Sequence, residues 1–85
     1  MKLTNSEATV FFALMQSSKG RPHLGWDRTD SSNARMASGI EGNEFAQILA
    51  SLEQKGLYEN AGDDVYVVEK VFADIAPYVH TEEEV

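Results

Sequence analysis

The sequence predicts a mainly α-helical domain with a small β-hairpin. Apolar residues recur at helical spacing in the opening part of the chain and again near its middle, which is typical of amphipathic helices. A β-branched and aromatic run follows a glycine-containing turn near residue 62, which is typical of a hairpin. With 85 residues, of which 42% are hydrophobic, the chain fits one small globular domain. We place this domain at residues 1–79 and an acidic flexible tail at residues 80–85.

The first helix is predicted from a capping box at residues 4–7. In this motif the Thr4 hydroxyl accepts a hydrogen bond from a free backbone amide, and the Glu7 carboxylate accepts one from the Thr4 amide. Because glycine and proline disfavour a helix interior, the helix should end near residues 17–18, before Pro22. The apolar positions that follow the capping box predict a central helix: Ala8, Val10, Phe11, Phe12, Leu14 and Met15.

A long loop and a short second helix are predicted next. Residues 19–29 contain glycines and a proline, and they read as a loop with a short strand at residues 24–26. Asp30 or Ser31 can cap a helix that ends near Ala37, because short polar side chains accept hydrogen bonds from free amides at a helix start.

The third helix has the clearest apolar stripe in the chain. Lys55 suits the negative end of this helix, and Gly56 is placed to cap it. Gly39 supplies a tight turn before it. Its apolar face follows the i, i+3, i+4, i+7 pattern: Phe45, Ile48, Leu49 and Leu52.

The hairpin and a last helix complete the prediction. Leu57 and Tyr58 begin the first strand, residues 60–63 form the turn, and Val65–Val68 form the second strand. The last helix is predicted from apolar residues on one face, and these are Val68, Val71, Phe72 and Ile75.

This order of elements resembles the winged helix-turn-helix domain, most closely regulators of the MarR-like type. Two stretches carry the resemblance: Leu-Thr-Asn-Ser-Glu at residues 3–7, and Ile-Leu-Ala-Ser-Leu-Glu-Gln-Lys-Gly-Leu-Tyr at residues 48–58. The resemblance spans about residues 3–76, and it implies a three-helix core, a wing and a C-terminal helix. The sequence departs from the family pattern at Arg35, where a small residue is usual, and at Ser38, where an apolar residue is usual.

Charge argues against carrying over the DNA-binding role of most winged-helix domains. The net charge is −7, and residues 36–54 contain no Lys or Arg, whereas phosphate binding depends on basic residues. A single acidic residue can be explained because acids are favourable at the start of a helix and common in turns. That explanation does not account for the lack of basic residues across the recognition helix and wing. The resemblance implies an exposed recognition-helix face that consists of Glu41, Asn43, Glu44, Gln47 and Ser51. The predicted partner-binding residues are Glu41, Asn43, Glu44, Gln47, Glu59, Asp63 and Asp64.

The predicted loop offers a secondary site at Arg21, His23, Trp26 and Arg28. An aromatic ring flanked by guanidinium groups is a common interaction hot spot, and it can also stack on a nucleobase. The alternative is that Trp26 folds back over the core, because a small domain needs its large apolar groups inside. The sequence leaves both possibilities open.

Two functions follow as expectations. The first is a protein-interaction or regulatory module, of the inhibitor or adaptor type found in phages and mobile elements, which binds a basic partner surface. The second is a dimeric, sequence-specific DNA-binding transcriptional regulator that reads bases through Asn43 and Gln47. Its phosphate contacts would be Lys19, Arg21, Arg28 and Arg35, and its dimer contacts would be Phe72, Ile75 and Tyr78.

No catalytic, metal-binding or cofactor-binding pattern is found in the sequence. The histidines His23 and His80 lie in a predicted loop and tail, and cysteine is absent. We therefore expect no enzyme, metal or cofactor. The longest apolar run is too short to cross a bilayer, so we expect no membrane partner and a cytoplasmic location.

Overall fold

The computed structural model describes residues 2–18, 22–40, 42–62 and 65–81. Within these residues the α-helices are α1 (Asn5–Gln16), α2 (Ser31–Ser38), α3 (Gly42–Gln54) and α4 (Phe72–Ile75). The strands are β1 (Lys2–Leu3), β2 (Asp27–Asp30), β3 (Glu59–Asn60), β4 (Val65–Val68) and β5 (His80–Thr81). Short 3₁₀ helices lie at Pro22–Leu24 and Ala76–Tyr78. The described chain is a small mixed α/β domain in which helices predominate.

Helix α1 begins at the capping box that the sequence predicts. The Glu7 amide donates to Thr4 Oγ1 at 3.1 Å, and the Thr4 amide donates to Glu7 Oε1 at 3.0 Å. These reciprocal bonds satisfy amides that the first turn leaves free. Val10, Phe11 and Leu14 are completely buried, so the prediction of a central helix is confirmed.

Strand β2 corrects the predicted position of the strand in the loop, which was residues 24–26. The polar sequence of β2 gives little strand signal, because aspartate is depleted in strands. Its inward side chains are nevertheless satisfied: Thr29 Oγ1 donates to the Leu14 carbonyl oxygen at 2.8 Å, and the Asp27 carboxylate accepts from the Phe72 amide. These contacts join distant parts of the chain, and local patterns do not reveal them.

The three-stranded antiparallel sheet has the strand order β2-β4-β3. Val67 of β4 lies between Arg28 of β2 and Glu59 of β3 in the register of the sheet. The predicted hairpin is confirmed at β4, whereas its first strand begins at Glu59 and not at Leu57. Both Leu57 and its neighbour Tyr58 are buried ahead of that strand.

Helix α2 lies where the sequence predicts it. The Asp30 carboxylate accepts from the Ser32 amide at 2.8 Å, and Gly39 ends the helix in the left-handed region at φ 73°. Ser38, which departs from the pattern of the domains that the sequence resembles, donates its hydroxyl to the Arg35 carbonyl oxygen and accepts from the Ile40 amide. The polar Ser38 is therefore used in the turn that leads to α3.

Helix α3 ends in a Schellman motif at Gly56. The Leu57 amide donates to the Leu52 carbonyl oxygen at 3.2 Å, and the Gly56 amide donates to the Glu53 carbonyl oxygen at 3.0 Å. Gly56 has φ 77°, which a glycine adopts without the steric cost of a side chain. The predicted glycine cap is confirmed, and the predicted buried face is also confirmed: Phe45, Ile48, Leu49 and Leu52.

The C-terminal region is less helical than predicted. Val68 lies in β4, and Val71 precedes α4, so neither belongs to the last helix. The predicted tail began at His80, but His80 and Thr81 form β5, which pairs in parallel with β1. The remainder of that tail, residues 82–85, lies outside the described residues.

The core lies between α1, α3, the sheet and α4. Phe11 and Phe72 meet edge to face with ring centroids 5.5 Å apart, and Tyr58 and Tyr66 do so at 4.6 Å. Phe72 is 1% exposed, so its predicted role as a dimer contact is wrong: the ring is already in the core of its own chain. The other predicted dimer contacts are a partly buried Ile75 and a Tyr78 that is 70% exposed.

Candidate functional site

The outward side of α3 is polar and acidic. Asn43, Glu44 and Gln47 are exposed, because the apolar stripe of the helix faces the core and these residues lie outside that stripe. Glu53 is also exposed, one residue before the helix ends. The structure therefore brings three of the predicted contact residues onto one helix, while Glu41 lies outside the described residues.

Ser51 does not belong to this outward surface. It is partly buried, and its hydroxyl donates to Glu7 Oε2 at 2.5 Å. The expectation that Ser51 lies on the exposed face of the recognition helix is therefore wrong, because its hydroxyl joins α3 to the start of α1.

The basic residue after α3 is also engaged within the chain. Lys55 Nζ donates to Glu7 Oε1 at 2.8 Å in a salt bridge, and to the Lys2 carbonyl oxygen at 3.3 Å. The ammonium group therefore stabilises the junction of α1 and α3. Glu44 and Glu53, the exposed acids of α3, form no salt bridge within the described residues.

The buried carboxylate of Glu7 is held in its charged form. Its side chain is 8% exposed, and burial alone raises the pKa of a carboxyl group. Hydrogen bonds from Lys55, Ser51 and the Thr4 amide outweigh that effect and lower the pKa of Glu7 from 4.5 to about 2. Glu7 is thus a structural anion, and sequence reasoning identified only its capping role.

Strand β3, which leads into the β3–β4 turn, carries a further exposed acid. Glu59 and Asn60 are exposed on β3, and the Asn60 side chain accepts from the Gly62 amide at 2.7 Å. The predicted contact residues Asp63 and Asp64 lie outside the described residues. We call the set Asn43, Glu44, Gln47 and Glu59 the acidic face.

The predicted loop site is only partly described. His23 lies exposed in the 3₁₀ helix at Pro22–Leu24, and Arg28 is exposed on β2. Trp26 is partly buried just ahead of that strand, and Arg21 lies outside the described residues. Arg28 therefore belongs to the sheet, where Val67 separates it from Glu59.

A cleft of about 370 Å³ lies between α2, α3 and the sheet. Arg35 and Glu53 are among its polar residues, and Tyr58 lines it from the hairpin. Sequence reasoning did not find this cleft, because it forms between residues that are distant in the chain.

The Tyr58 hydroxyl is engaged inside the protein, where it donates to the buried Leu49 carbonyl oxygen. Burial, followed by the proximity of Tyr66 and Glu53, raises the pKa of Tyr58.

Other site classes receive no support from the described part of the chain. Its His, Asp and Glu side chains form no cluster of three or more that suits a metal ion. None of its helices has the length and hydropathy needed to span a bilayer. Comparison with protein-family models, curated protein sequences and solved structures gave no match.

Proposed function

We propose that the chain is a small winged-helix module that binds a basic surface of a partner protein through the acidic face. The order of α1, β2, α2, α3 and the β3–β4 hairpin supports this scaffold. The strand order β2-β4-β3 supports it as well, because the strand between the first helices joins the sheet of the wing.

The sign of the charge on the acidic face carries the proposal. Glu44 and Glu59 are exposed, and within residues 42–62 the basic side chain is Lys55, which is bound to Glu7. DNA phosphates would be repelled from such a surface, whereas lysine and arginine side chains would be attracted. Complementary charge also speeds association and excludes wrong partners.

Affinity capture with the purified chain tests the proposal. Wild-type protein should enrich basic proteins, and the double variant Glu44→Lys/Glu59→Lys should lose the same proteins by more than tenfold. Asp74→Lys is the matched control, because Asp74 is an exposed acid on α4 outside the acidic face. Circular dichroism should show that all three proteins are folded. Equal capture by wild type and double variant would contradict the proposal.

DNA binding is the second candidate, and specific exposed side chains favour it. Asn43 and Gln47 can each form paired hydrogen bonds with adenine, and Arg28 and Arg35 form no salt bridge within the described residues. Arg28→Ala and Arg35→Ala should then weaken binding to duplex DNA and reduce its dependence on salt. Both candidates predict that Glu44→Lys/Glu59→Lys changes the affinity for DNA, because it replaces acids with basic residues. An unchanged affinity would therefore fit neither candidate.

A further inference from the structure

A groove of about 720 Å³ lies beside the acidic face, between the end of α3, the base of the hairpin and α4. We call it the hairpin groove. Its apolar lining includes Ile75, which is partly buried, and the edges of the core residues Leu57 and Val68. Ile75 thus faces both the core and the groove, and its apolar surface is only partly covered.

Acidic side chains surround this lining. Glu53, Glu59 and Glu69 are exposed around the hairpin groove, and Lys70 is the basic residue among its lining. Within the described residues none of these three carboxylates forms a salt bridge; the salt bridge found there joins Glu7 to Lys55. Three carboxylates against one ammonium group leave the groove negative at neutral pH.

We propose that the hairpin groove binds a segment of the partner protein in which an apolar side chain is flanked by lysine or arginine. The apolar side chain would cover Ile75, and the flanking basic groups would pair with Glu59 and Glu69. This inference rests on the proposed function, because Glu59 lies both on the acidic face and at the groove. It adds a defined position and a defined chemistry for the partner's contact.

Charge and shape together select this occupant. A purely cationic ligand would leave Ile75 exposed to water, and a purely apolar one would leave the carboxylates without partners. The volume is within the range of sites that enclose small ligands, so it can take a few side chains but not a folded domain. A short amphipathic basic segment satisfies both kinds of surface.

Nuclear magnetic resonance titration of the full chain tests this assignment. The probe is a short capped peptide of alternating lysine and leucine. Its saturable binding should shift the amide signals of residues 56–60 and 68–70 and of Ile75. Replacing each leucine of the peptide with serine should abolish these shifts, and so should replacing each lysine with glutamate. These peptide controls leave the fold of the protein untouched.

Protein variants separate the groove from the acidic face. Glu69→Lys should weaken peptide binding about tenfold, because it replaces a favourable charge with a repulsive one. Glu44→Lys, on the outward side of α3, should change it less than twofold. Equal weakening by both variants would overturn the assignment. So would binding of the serine peptide, or of the purely cationic ligand spermine, with the same affinity as the lysine–leucine peptide.

The two proposals can fail separately. Absence of peptide shifts at the groove, combined with partner capture that depends on Glu44 and Glu59, would overturn the groove and leave the proposed function standing. Peptide shifts at the groove, combined with partner capture that the single variant Glu44→Lys leaves unchanged, would support the groove and contradict the acidic face.

Discussion

Replacing Lys55 with methionine should remove the ammonium group that neutralises the buried Glu7 carboxylate, while keeping much of the apolar length of the side chain. The Ser51 hydroxyl and the Thr4 amide would remain as partners of that carboxylate. The pKa of Glu7 should therefore rise from about 2 in the variant, because burial is no longer fully offset.

The magnitude follows from the pKa of Glu7. The decrease in the pKa of this carboxyl group from 4.5 to about 2 corresponds to about 3 kcal/mol of stability, because each pKa unit is worth about 1.4 kcal/mol. Ser51 and Thr4 supply part of this, and the Lys55 side chain is 35% exposed and so partly screened by water. We therefore expect Lys55→Met to lower the free energy of unfolding by about 1.5 kcal/mol at neutral pH.

The effect should depend on pH in one direction. Because the pKa of Glu7 is lower in the folded state, its stabilisation is complete above pH 4.5 and falls as the pH decreases toward about 2. The difference between wild type and Lys55→Met should shrink over the same interval.

Urea denaturation at a series of pH values measures this difference. Lys70→Met is the matched control, because Lys70 is exposed and forms no salt bridge within the described residues. It should change stability by less than about 0.5 kcal/mol. A Lys55→Met effect as small as that of the control, or one that is constant across the pH series, would refute the reasoning.

Three further substitutions test individual hydrogen bonds and the α3 cap. Gly56→Ala should cost about 1 kcal/mol in urea denaturation, because Gly56 has φ 77° although the added methyl group would meet no atom within 4 Å. Thr29→Val should cost about 2 kcal/mol, because the Leu14 carbonyl oxygen loses its buried donor. Tyr58 should resist ionisation in an ultraviolet absorbance titration to alkaline pH, because burial raises its pKa, and Tyr58→Phe should remove the late-titrating signal. That same variant should lose about 1 kcal/mol of stability with its bond to the Leu49 carbonyl oxygen.

Each of these has a contradicting result. Unchanged stability in Gly56→Ala would argue against the left-handed cap, and unchanged stability in Thr29→Val would argue against the bond that links β2 to α1. Ionisation of the Tyr58 phenol in the ordinary range of a tyrosine side chain would argue against its burial.

Local signals in the sequence predicted the first three helices well. The capping box at residues 4–7, the Asp30 cap and the apolar stripe of α3 each act within a few residues, so the pattern of side chains reveals them. The glycine cap at Gly56 is of the same kind. The strands β1 and β5 were missed and β2 was misplaced, because these strands are short, largely polar and held by partners far away in the chain.

The same distinction applies to the candidate site. Exposure of Asn43, Glu44 and Gln47 follows directly from the helical stripe, so it could be predicted. The role of Lys55 could not, because its partner Glu7 is 48 residues away and only the fold brings them together. The hairpin groove was also invisible in the sequence, since it forms between α3, the hairpin and α4.

A titration of random-sequence duplex DNA at low salt, followed by fluorescence anisotropy, tests the central claim most directly. The claim is that the charge of the acidic face excludes nucleic acid from the proposed winged-helix scaffold. Wild-type protein should show no saturable binding at about 10 μM, whereas Glu44→Lys/Glu59→Lys should gain salt-sensitive affinity. Micromolar, salt-sensitive binding by the wild type that Arg28→Ala and Arg35→Ala abolish would contradict the account.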